Sequence, residues 1–395
     1  MKKDSVVIVS VARTPMGSFN GELSSSSASD LGAAAIRAAV ERADVKTPTI
    51  DEVIMGCVLP AGQGQAPARQ AAVKAGLPYG VDCTTVNKMC GSGMKAVMIG
   101  HDALLAETNQ IIVAGGMESM TNSPYILPRA RQGYRMGHNE VQDHMFIDGL
   151  EDAFERGKLM GAYAEDCADQ FSFTREKQDF FAIRSLERAK RANEEGSFSW
   201  EMIPFAVKRG KDQSFIEFDE QPFKAEIEKI PLLRPAFRKE GTVTAANSSS
   251  ISDGAAALVM MKQSTADTIG VAPLARIIGH ATHSQEPRFF TTAPSGAIKK
   301  LFKKIGWKVT DPDLYEINEA FAVVTMAAMK EFSLPPSNVN INGGACALGH
   351  PVGASGSRIL VTLIAALRNN GGKKGVASLC IGGGEATAVG LELIS

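Results

Sequence analysis

The sequence lacks both a charge imbalance and a long uncharged apolar run, and each absence excludes a class of protein. Its 42 Lys and Arg residues balance 43 Asp and Glu residues, which leaves a formal net charge of −1. Without a strong field of one sign, we expect no nucleic-acid partner and no attraction to an acidic membrane surface. No stretch reaches the roughly 18 apolar residues that a membrane span needs. The sequence therefore predicts a soluble protein with no membrane partner.

Motifs for metals and bound cofactors are missing as well. No cysteines have CxxC spacing, and no GxxxxGK[ST] or HExxH segment occurs, which disfavours a zinc ribbon, a phosphate loop and a metalloprotease. The glycines at 62–67 do not complete a dinucleotide fingerprint, because Pro67 stands in place of the third glycine. His280 and His283 are expected in a loop without a carboxylate at ligand spacing. The sequence therefore predicts no catalytic metal.

The start of the chain and its cysteines indicate a compartment. Asp4 interrupts the basic start and Arg13 ends the apolar run, so we interpret 6–12 as a buried first strand and not as a signal peptide. The cysteines are scattered without the spacing of a disulfide framework, which is typical of thiols kept reduced. We therefore expect a cytoplasmic protein. The six cysteines are Cys57, Cys83, Cys90, Cys167, Cys346 and Cys380.

Short runs rich in Val and Ile alternate with Ala-rich helical stretches along most of the 395 residues. This alternation predicts an α/β fold with largely buried sheets. Between 121 and 245 the pattern gives way to Pro, Arg, Glu and Lys with an amphipathic helix at 174–195, which we interpret as an inserted loop domain. Strands are expected at 6–11, 52–58, 111–116, 314–318, 339–342 and 376–383, and further helices at 29–43, 91–107 and 354–368.

Two segments far apart in the chain share one pattern. Cys90-Gly91-Ser92-Gly93 opens a predicted helix that is followed by a Gly-Gly strand at 111–116. The Gly/Ser turn at 353–357 likewise opens a helix, and a Gly-Gly strand follows at 376–383. Such a repeat indicates an internal duplication of one half-domain. An active site is then expected between the halves.

Cys90 stands at the start of a predicted helix. Unpaired N–H groups and the positive end of the helix dipole favour a thiolate there, which suits a nucleophile. A small thiol that fills a packing gap is the alternative for any single cysteine. The flanking glycines at 91 and 93 favour the nucleophile.

Two further segments carry groups that could serve this nucleophile. His350 lies in a glycine-rich turn before a helix and could act as a base, although a lone loop histidine specifies no partner. Cys380 ends an apolar strand and precedes Gly382, which suits an acid/base thiol beside bare N–H groups, with an inert strand cysteine as the alternative. Asn318 follows another strand, where it is expected to cap a helix, with or without a catalytic role.

The ordered set of segments resembles the thiolase family, specifically its short-chain acetyl-CoA acetyltransferases, over essentially the whole chain. Any one of these motifs is weak, but the ordered set is specific. The motifs are Val11-Ala12-Arg13-Thr14-Pro15, the Cys90 turn, Gly115-Gly116-Met117-Glu118-Ser119-Met120, Leu233-Arg234-Pro235-Ala236-Phe237, Gly241-Thr242-Val243-Thr244-Ala245-Ala246-Asn247, Ser252-Asp253-Gly254-Ala255-Ala256, Asn318-Glu319-Ala320-Phe321, Gly349-His350-Pro351 and Cys380-Ile381-Gly382-Gly383-Gly384.

The resemblance implies the thiolase fold, in which two duplicated βαβαβαββ halves pack as five α-β-α-β-α layers. It implies an N-terminal core half at 1–120 that is completed by about 246–270, and a C-terminal core half at 271–395. The loop domain at 121–245 would cover the coenzyme A site. The family also implies a homo-oligomer, a tetramer built as a dimer of dimers, with 121–140 as a contact.

By the same resemblance, the protein is an acyltransferase that condenses two acetyl-CoA into acetoacetyl-CoA and CoA, or runs the reverse thiolysis. Cys90 would accept the acyl group, His350 would activate it, and Cys380 would exchange a proton with the substrate α-carbon. His350 with a water held by Asn318 would form one oxyanion hole, and the N–H groups of Cys90 and Gly382 would form a second. Coenzyme A and acyl-CoA are then substrates, with no permanently bound cofactor.

Matching family positions also imply a substrate-binding set. Ser249 and Phe237 would lie near the pantetheine and adenine of coenzyme A. Met160 and Phe321 would lie near the acyl pocket.

The sequence departs from the family pattern in two places. Leu159 stands where relatives have a histidine that would contact the thioester region of the substrate. The segment 290–294 replaces a Met-Gly-x-Gly-Pro stretch, and the bulky Phe289 and Phe290 are expected to reshape the acyl pocket.

Other functions use part of this set of residues. Within the family, the alternative is a degradative 3-ketoacyl-CoA thiolase with a broader or longer chain preference. A non-catalytic acyl-CoA binding protein is a distant alternative, because fold alone does not fix function, but it would be expected to lose one of Cys90, His350 or Cys380. A cysteine hydrolase would need Cys90 and His350 and not Cys380.

Overall fold

A computed structural model describes residues 4–209 and 212–394. The described residues form fourteen strands and eleven α-helices. The strands are β1 (Val6–Arg13), β2 (Gly17–Ser18), β3 (Glu52–Gly56), β4 (Asp82–Val86), β5 (Ile111–Ser119), β6 (Tyr125–Ile126), β7 (Gln142–Asp143), β8 (Phe205–Arg209), β9 (Asp212–Ile216), β10 (Ser252–Lys262), β11 (Ala275–Ser284), β12 (Leu314–Ile317), β13 (Lys374–Ile381) and β14 (Glu385–Leu393). The helices are α1 (Ala28–Ala43), α2 (Pro67–Lys74), α3 (Ser92–Leu105), α4 (Met160–Phe171), α5 (Arg175–Glu194), α6 (Gln221–Lys224), α7 (Gln263–Ile269), α8 (Ala293–Ile305), α9 (Ala322–Phe332), α10 (Ala345–Leu348) and α11 (Ser355–Asn369).

The two halves of the chain build sheets with corresponding strand orders, except that the N-terminal sheet has one more edge strand, β4. The N-terminal half runs β4-β3-β5-β10-β1, and the C-terminal half runs β12-β13-β14-β11. In each half the strands at the outer edge are parallel, and the last two pairs are antiparallel. β1 and β11 pair at Val7–Arg276 and Ile8–Ala275, which joins the sheets. This repeat confirms the duplication that the two Gly-rich segments predicted.

Three apolar clusters give the fold five layers. α3 and α11 lie between the sheets, where Val97 and Leu363 pack against strands of both halves. α1 and α2 cover the outer face of the N-terminal sheet, where Ile36 is fully buried. α8 and α9 cover the outer face of the C-terminal sheet through side chains such as Leu301 and Ala328. The predicted α-β-α-β-α arrangement is confirmed.

The two central helices approach each other at glycines. A Cβ atom on Gly93 would lie 2.8 Å from the backbone N of Ser357 and 3.0 Å from the carbonyl O of Gly353. Real Cβ atoms do not tolerate such contact with backbone, so glycine is required there. The start of α3, which follows Cys90, is thereby held against the start of α11, which follows His350.

The strand predicted at 339–342 is shorter than expected. The segment 339–342 contributes a single parallel bridge, between Val339 and Tyr315. The Asn340 side chain takes the place of further ladder bonds, because its Oδ1 accepts from the Ile317 N–H at 2.8 Å and its Nδ2 donates to the Ile317 carbonyl at 2.8 Å. Asn340 has a φ of +47°, which bends the chain out of strand geometry.

Residues 121–245 contain α4 to α6 and two small hairpins, β6-β7 and β8-β9. The predicted amphipathic helix is α5, which packs Leu186 and Ala189 against Leu348. Arg13, at the end of β1, is fully buried and forms ion pairs with Asp219 and Glu201 from this segment. The domain boundaries given above stay a prediction. Across the described ranges, no helix is both long enough and apolar enough to span a membrane.

Candidate active site

Cys90 lies in a tight turn at the start of α3. Met89, the preceding residue, has a φ of +46°, and Ser92 Oγ both accepts from the Lys88 N–H at 2.8 Å and donates to the Met89 carbonyl at 2.6 Å. The backbone N–H groups of Gly382 and of Cys90 itself face the Cys90 sulfur and lower the pKa of its thiol. The turn at 382, after β13, therefore meets the turn before α3 at this thiol.

The backbone N–H groups at Cys90 favour the thiolate, as predicted, but burial reverses the net shift of the pKa. Burial raises the pKa of the Cys90 thiol to about 11, and the two N–H donors lower it by less. The helix start therefore does not make a thiolate in the resting protein, because desolvation of the charged form outweighs the backbone donors. Cys90 needs a base to become a nucleophile.

His350 is buried at the end of the loop that follows α10. Its Nδ1 lies 2.5 Å from Ser355 Oγ, and Ser355 Oγ donates to the Pro351 carbonyl at 3.0 Å. Ser355 therefore accepts from Nδ1–H, which leaves Nε2 as the basic nitrogen. Within residues 4–209 and 212–394, Nε2 has no hydrogen-bond partner. Burial, and then the charge of Arg358, lower the pKa of His350 to about 3, so the imidazole is neutral.

Asn318 lies beside this imidazole. Its side-chain amide is 3.4 Å from His350 Nδ1, and its Oδ1 is buried with no partner in the part of the chain that the structure describes. The prediction that Asn318 caps a helix is wrong, because α9 begins only at Ala322, with Phe321 as its N-cap. Asn318 Oδ1 is instead free to accept a hydrogen bond from a water.

The loop that carries His350 packs against the turn that carries Cys90. Val352 shares an apolar cluster with Cys90 and Met89. The His350 N–H donates to the Ser250 carbonyl at 3.1 Å, and the Ser249 N–H donates to the Ala320 carbonyl at 2.9 Å. The segment 249–250 thus links the His350 loop to the loop that follows Asn318.

Cys380 is 1% exposed and lies one residue before the end of β13. Burial raises its pKa well above the usual value, and the charge of Cys90 raises it further, which places the two sulfurs near each other. As predicted, an apolar strand carries this thiol directly before the glycines at 382–384. The low-dielectric surroundings keep it protonated and able to give a proton.

The four predicted substrate-binding residues either border the apolar cluster that contains Cys380 or contact residues that do. Met160 and Phe321 border the cluster of Cys380. The Phe237 ring lies 5.9 Å from the Phe321 ring and covers Gly161 in the first turn of α4. Ser249 is half-buried, and its backbone N–H donates to the carbonyl of Ala320, the residue before Phe321. Their roles stay predictions.

The residues at the two departures from the family pattern lie in different surroundings. Phe290 is buried beside Cys380, with its ring 6.4 Å from Tyr163 and 6.3 Å from Phe321. Phe289 does not join this cluster, and Arg288 covers its ring at 4.6 Å. Leu159 is the N-cap of α4, directly before Met160. Of Leu159, Phe289 and Phe290, only Phe290 is therefore placed to limit the space around Cys380.

Sequence reasoning missed two residues near the site. Ser355, the first residue of α11, orients His350 by contacting its Nδ1. The spacing of five residues between the two is the sequence signal that could have indicated this contact. His144 lines a cavity of about 460 Å³ together with Met89 and Gly382. No motif marks His144, since it reaches the cavity through the fold of the segment around β7.

The expectation for His280 and His283 is wrong. Both lie in β11 and not in a loop. Asp102 Oδ1 accepts from His280 at 2.8 Å and from His101 at 3.0 Å, so a carboxylate does accompany His280. Atoms of these three groups lie within 4.8 Å of one another, close enough to ligate one cation. The absence of a catalytic metal stays a prediction.

Comparisons with known proteins agree with this geometry. The chain matches the thiolase N-terminal domain over residues 6–264 and the thiolase C-terminal domain over residues 271–393. It is similar to acetyl-CoA acetyltransferase 2 of Arabidopsis thaliana, with 51% identity over 98% of this chain and 97% of that protein. It is 46% identical to an acetyl-CoA acetyltransferase of Schizosaccharomyces pombe over 100% of both chains.

Solved structures match over the same extent. The crystal structure of Acat5 thiolase from Ascaris suum in complex with coenzyme A matches with a TM-score of 0.94 and 41% identity, covering 99% of this chain and 100% of that one. The acetyl-CoA acetyltransferase of Bacillus anthracis matches with a TM-score of 0.96 and 39% identity, covering 99% of each chain.

Proposed function

The chain belongs to the thiolase family, and on that premise we propose that it is an acetyl-CoA acetyltransferase that works through an acetyl group on Cys90. The reaction is the reversible condensation of two acetyl-CoA into acetoacetyl-CoA and CoA. The alternatives of an acyl-CoA binding protein and a cysteine hydrolase have no comparable support, since full-length relatives are named acetyl-CoA acetyltransferases.

One observation carries the catalytic assignment. The Gly382 N–H is close enough to the Cys90 sulfur to lower the pKa of that thiol, and Cys380 is close enough for the charge of Cys90 to raise the pKa of Cys380. A thiol for acyl transfer, a thiol for proton transfer and a backbone donor therefore meet at one point. That set suits a reaction that forms both a tetrahedral oxyanion and a carbanion.

The thiolysis direction shows how each group would act. The Cys90 sulfur attacks the keto carbon of acetoacetyl-CoA while His350 Nε2 takes the thiol proton. The N–H groups of Cys90 and Gly382 stabilise the oxyanion. The bond between the keto carbon and the α-carbon then breaks, which leaves acetyl-Cys90, and the α-carbon of the departing acetyl-CoA takes a proton from Cys380.

The second half of the reaction restores the enzyme. Cys380, now a thiolate, takes the proton of an incoming CoA thiol, and the CoA sulfur attacks acetyl-Cys90. Acetyl-CoA leaves, and the Cys90 sulfur regains its proton from His350. His350 and a water on Asn318 would stabilise the enolate oxygen, which is supported by the partnerless Asn318 Oδ1 in the described ranges.

Several finer assignments belong to the same proposal. Met160, Phe321 and the buried Phe290 would bound the acyl group, which favours short chains. Ser249 and Phe237 would contact coenzyme A. The chain carries no permanently bound cofactor in this proposal.

The compartment and assembly are proposals too. The six cysteines are free thiols, which supports a reducing compartment such as the cytoplasm. A homotetramer is supported by exposed apolar side chains in 121–141, among them Met136, which is 97% exposed, and Tyr125, which is 68% exposed. Light scattering on the purified protein measures this directly, and a monomer would contradict it.

Cleavage of acetoacetyl-CoA by the purified protein in the presence of CoA tests the function. We expect cleavage by the wild type and none by Cys90→Ala, with Cys83→Ala as the matched control that keeps activity. A longer 3-ketoacyl-CoA tests chain length, and cleavage of that substrate alone would contradict the acetyl assignment and favour the degradative thiolase.

A further inference from the structure

His144 lies beside the reacting groups but has no part in the reaction described above. It follows β7 directly and is one of the residues that line the cavity of about 460 Å³, together with Met89, Met160 and Gly382. Met89 precedes Cys90, and the Gly382 N–H is close enough to the Cys90 sulfur to lower the pKa of that thiol. His144 therefore borders the space next to the nucleophile.

The ring of His144 is held in one orientation. Its Nδ1 lies 2.7 Å from Asp148 Oδ2, and the backbone N–H of His144 donates to the Pro124 carbonyl at 3.1 Å, which fixes the chain at this residue. The next residue, Met145, is buried in the cluster that contains Cys90. Only 5% of His144 is exposed, so the ring has little freedom to turn.

This orientation leaves a buried hydrogen-bond acceptor. A carboxylate oxygen accepts hydrogen bonds, so Nδ1 is the ring nitrogen that donates to Asp148 and Nε2 is the ring nitrogen that can accept. Among the described residues, Nε2 of His144 has no hydrogen-bond partner. Buried polar atoms are normally paired, and a donor from a bound ligand would pair this one.

We propose that His144 Nε2 accepts a hydrogen bond from a pantetheine amide N–H, the one that lies nearer the sulfur. His144 is then a substrate-positioning residue. This inference rests on the proposed function. The thioester and keto groups offer only acceptors, whereas the pantetheine arm offers amide N–H groups. The nearer amide is favoured because Gly382, beside the reacting sulfur, lines the same cavity.

The experiment compares two small thioesters of acetoacetate that differ in one atom. One is the N-acetylcysteamine thioester, which keeps the nearer amide, and the other has an ester oxygen in place of that amide N–H. We measure kcat/KM for both, with CoA as the acceptor thiol, in the wild type, His144→Phe and His144→Gln. His138→Phe is the matched control, because His138 is an exposed histidine of the same segment that does not line the cavity.

The wild type and His138→Phe are expected to prefer the amide about tenfold, the effect of one hydrogen bond to a buried acceptor. His144→Phe is expected to lose this preference through a higher KM, with kcat within about twofold. His144→Gln, whose amide oxygen can accept the same bond, is expected to regain most of it.

Three outcomes would overturn the inference. They are an equal amide preference in wild type and His144→Phe, a loss of kcat with unchanged KM, and a His144→Gln variant that is active but does not distinguish the thioesters. Failure of the proposed function is a separate result, since the wild type would then not cleave acetoacetyl-CoA at all.

Discussion

At the residue scale, burial decides the protonation state of the reacting groups. It raises the pKa of Cys90 to about 11 and lowers the pKa of His350 to about 3. At neutral pH the pair is therefore a thiol and a neutral imidazole, and not a thiolate–imidazolium ion pair. In the proposed mechanism, the proton moves from Cys90 to His350 only when a substrate carbonyl is attacked, because the oxyanion hole then stabilises the resulting charge.

This assignment predicts the pH dependence of Cys90 alkylation. Iodoacetamide reacts with thiolates, and a raised pKa lowers the thiolate fraction at every pH below it. We expect the rate for Cys90 to rise about tenfold per pH unit from pH 7 to 10, with its midpoint above the ~8.5 of free cysteine. Mass-spectrometric quantification of labelled Cys90 peptides measures this rate, and a plateau near pH 7 would contradict it.

The hydroxyl of Ser355 is predicted to matter through His350. In Ser355→Ala the acceptor of Nδ1–H is lost, so the ring is less well oriented and we expect kcat to fall about tenfold. Ser357→Ala is the control, because Ser357 Oγ bonds the carbonyls of Ala354 and Ala256 and not the imidazole. Steady-state thiolysis rates compare the two, and equal losses would show a structural effect alone.

Local sequence predicts the proposed reacting groups but not their orienting partners. Cys90 and His350 stand in Gly-rich turns before a helix, and Cys380 lies near the end of β13 just before a Gly-rich turn, so consecutive residues indicate all three. The bond from His350 to Ser355 could be anticipated only from its spacing. His144 and the carboxylate beside His280 depend on which segments the fold brings together, so no local pattern predicts them.

At the scale of elements, the contact between α3 and α11 holds the Cys90 turn against the His350 loop. Gly93→Ala places a methyl group 2.8 Å from the Ser357 backbone N, and we expect a loss of about 1–3 kcal/mol in the free energy of unfolding together with reduced activity. Urea unfolding and thiolysis rates measure both effects.

Gly100→Ala, on the same helix, is the matched control for this contact. Its added Cβ would come no closer than 3.2 Å, to a side-chain methyl of Ile112. The higher helix propensity of alanine, worth about 1 kcal/mol, offsets that contact. A Gly100→Ala variant as unstable as Gly93→Ala would refute the role given to the backbone contact.

Most elements were predictable because their patterns are local. The strands at β1, β3, β5 and β13 and the helices α1, α3, α5 and α11 carry apolar periodicity that matches their burial. The segment 339–342 carries the same β-branched pattern, yet the Asn340 side chain replaces the ladder there. The hydrogen bonds from the Asn340 side chain to Ile317 of β12 override the β propensity of this segment. No local sequence pattern indicates these bonds.

At the scale of the whole molecule, a buried ionic network ties β1 to the segment that follows residue 121. Arg13 is fully buried, and its guanidinium bonds both carboxylate oxygens of Asp219, at 2.7 and 3.0 Å, and also Glu201. Arg13→Met would leave two buried carboxylates without their cation. We expect a loss of about 3–5 kcal/mol in the free energy of unfolding, measured by chemical denaturation.

A surface ion pair provides the comparison for that network. Lys74 and Asp30 lie 2.7 Å apart with side chains 43% and 46% exposed, and such pairs contribute about 0–1 kcal/mol. Lys74→Met is therefore expected to change the free energy of unfolding by less than about 1 kcal/mol. If the two variants lost equal stability, the network would not join the segments as described.

The intact mass of the protein mixed with acetoacetyl-CoA, without free CoA, shows whether an acetyl group is transferred to Cys90. We expect a gain of one acetyl group, located on Cys90 by peptide mapping and discharged when CoA is added. Cys380→Ala is expected to slow both the gain and the discharge. An unmodified protein that still forms acetyl-CoA from acetoacetyl-CoA and CoA, or an acetyl group on another residue, would contradict this expectation.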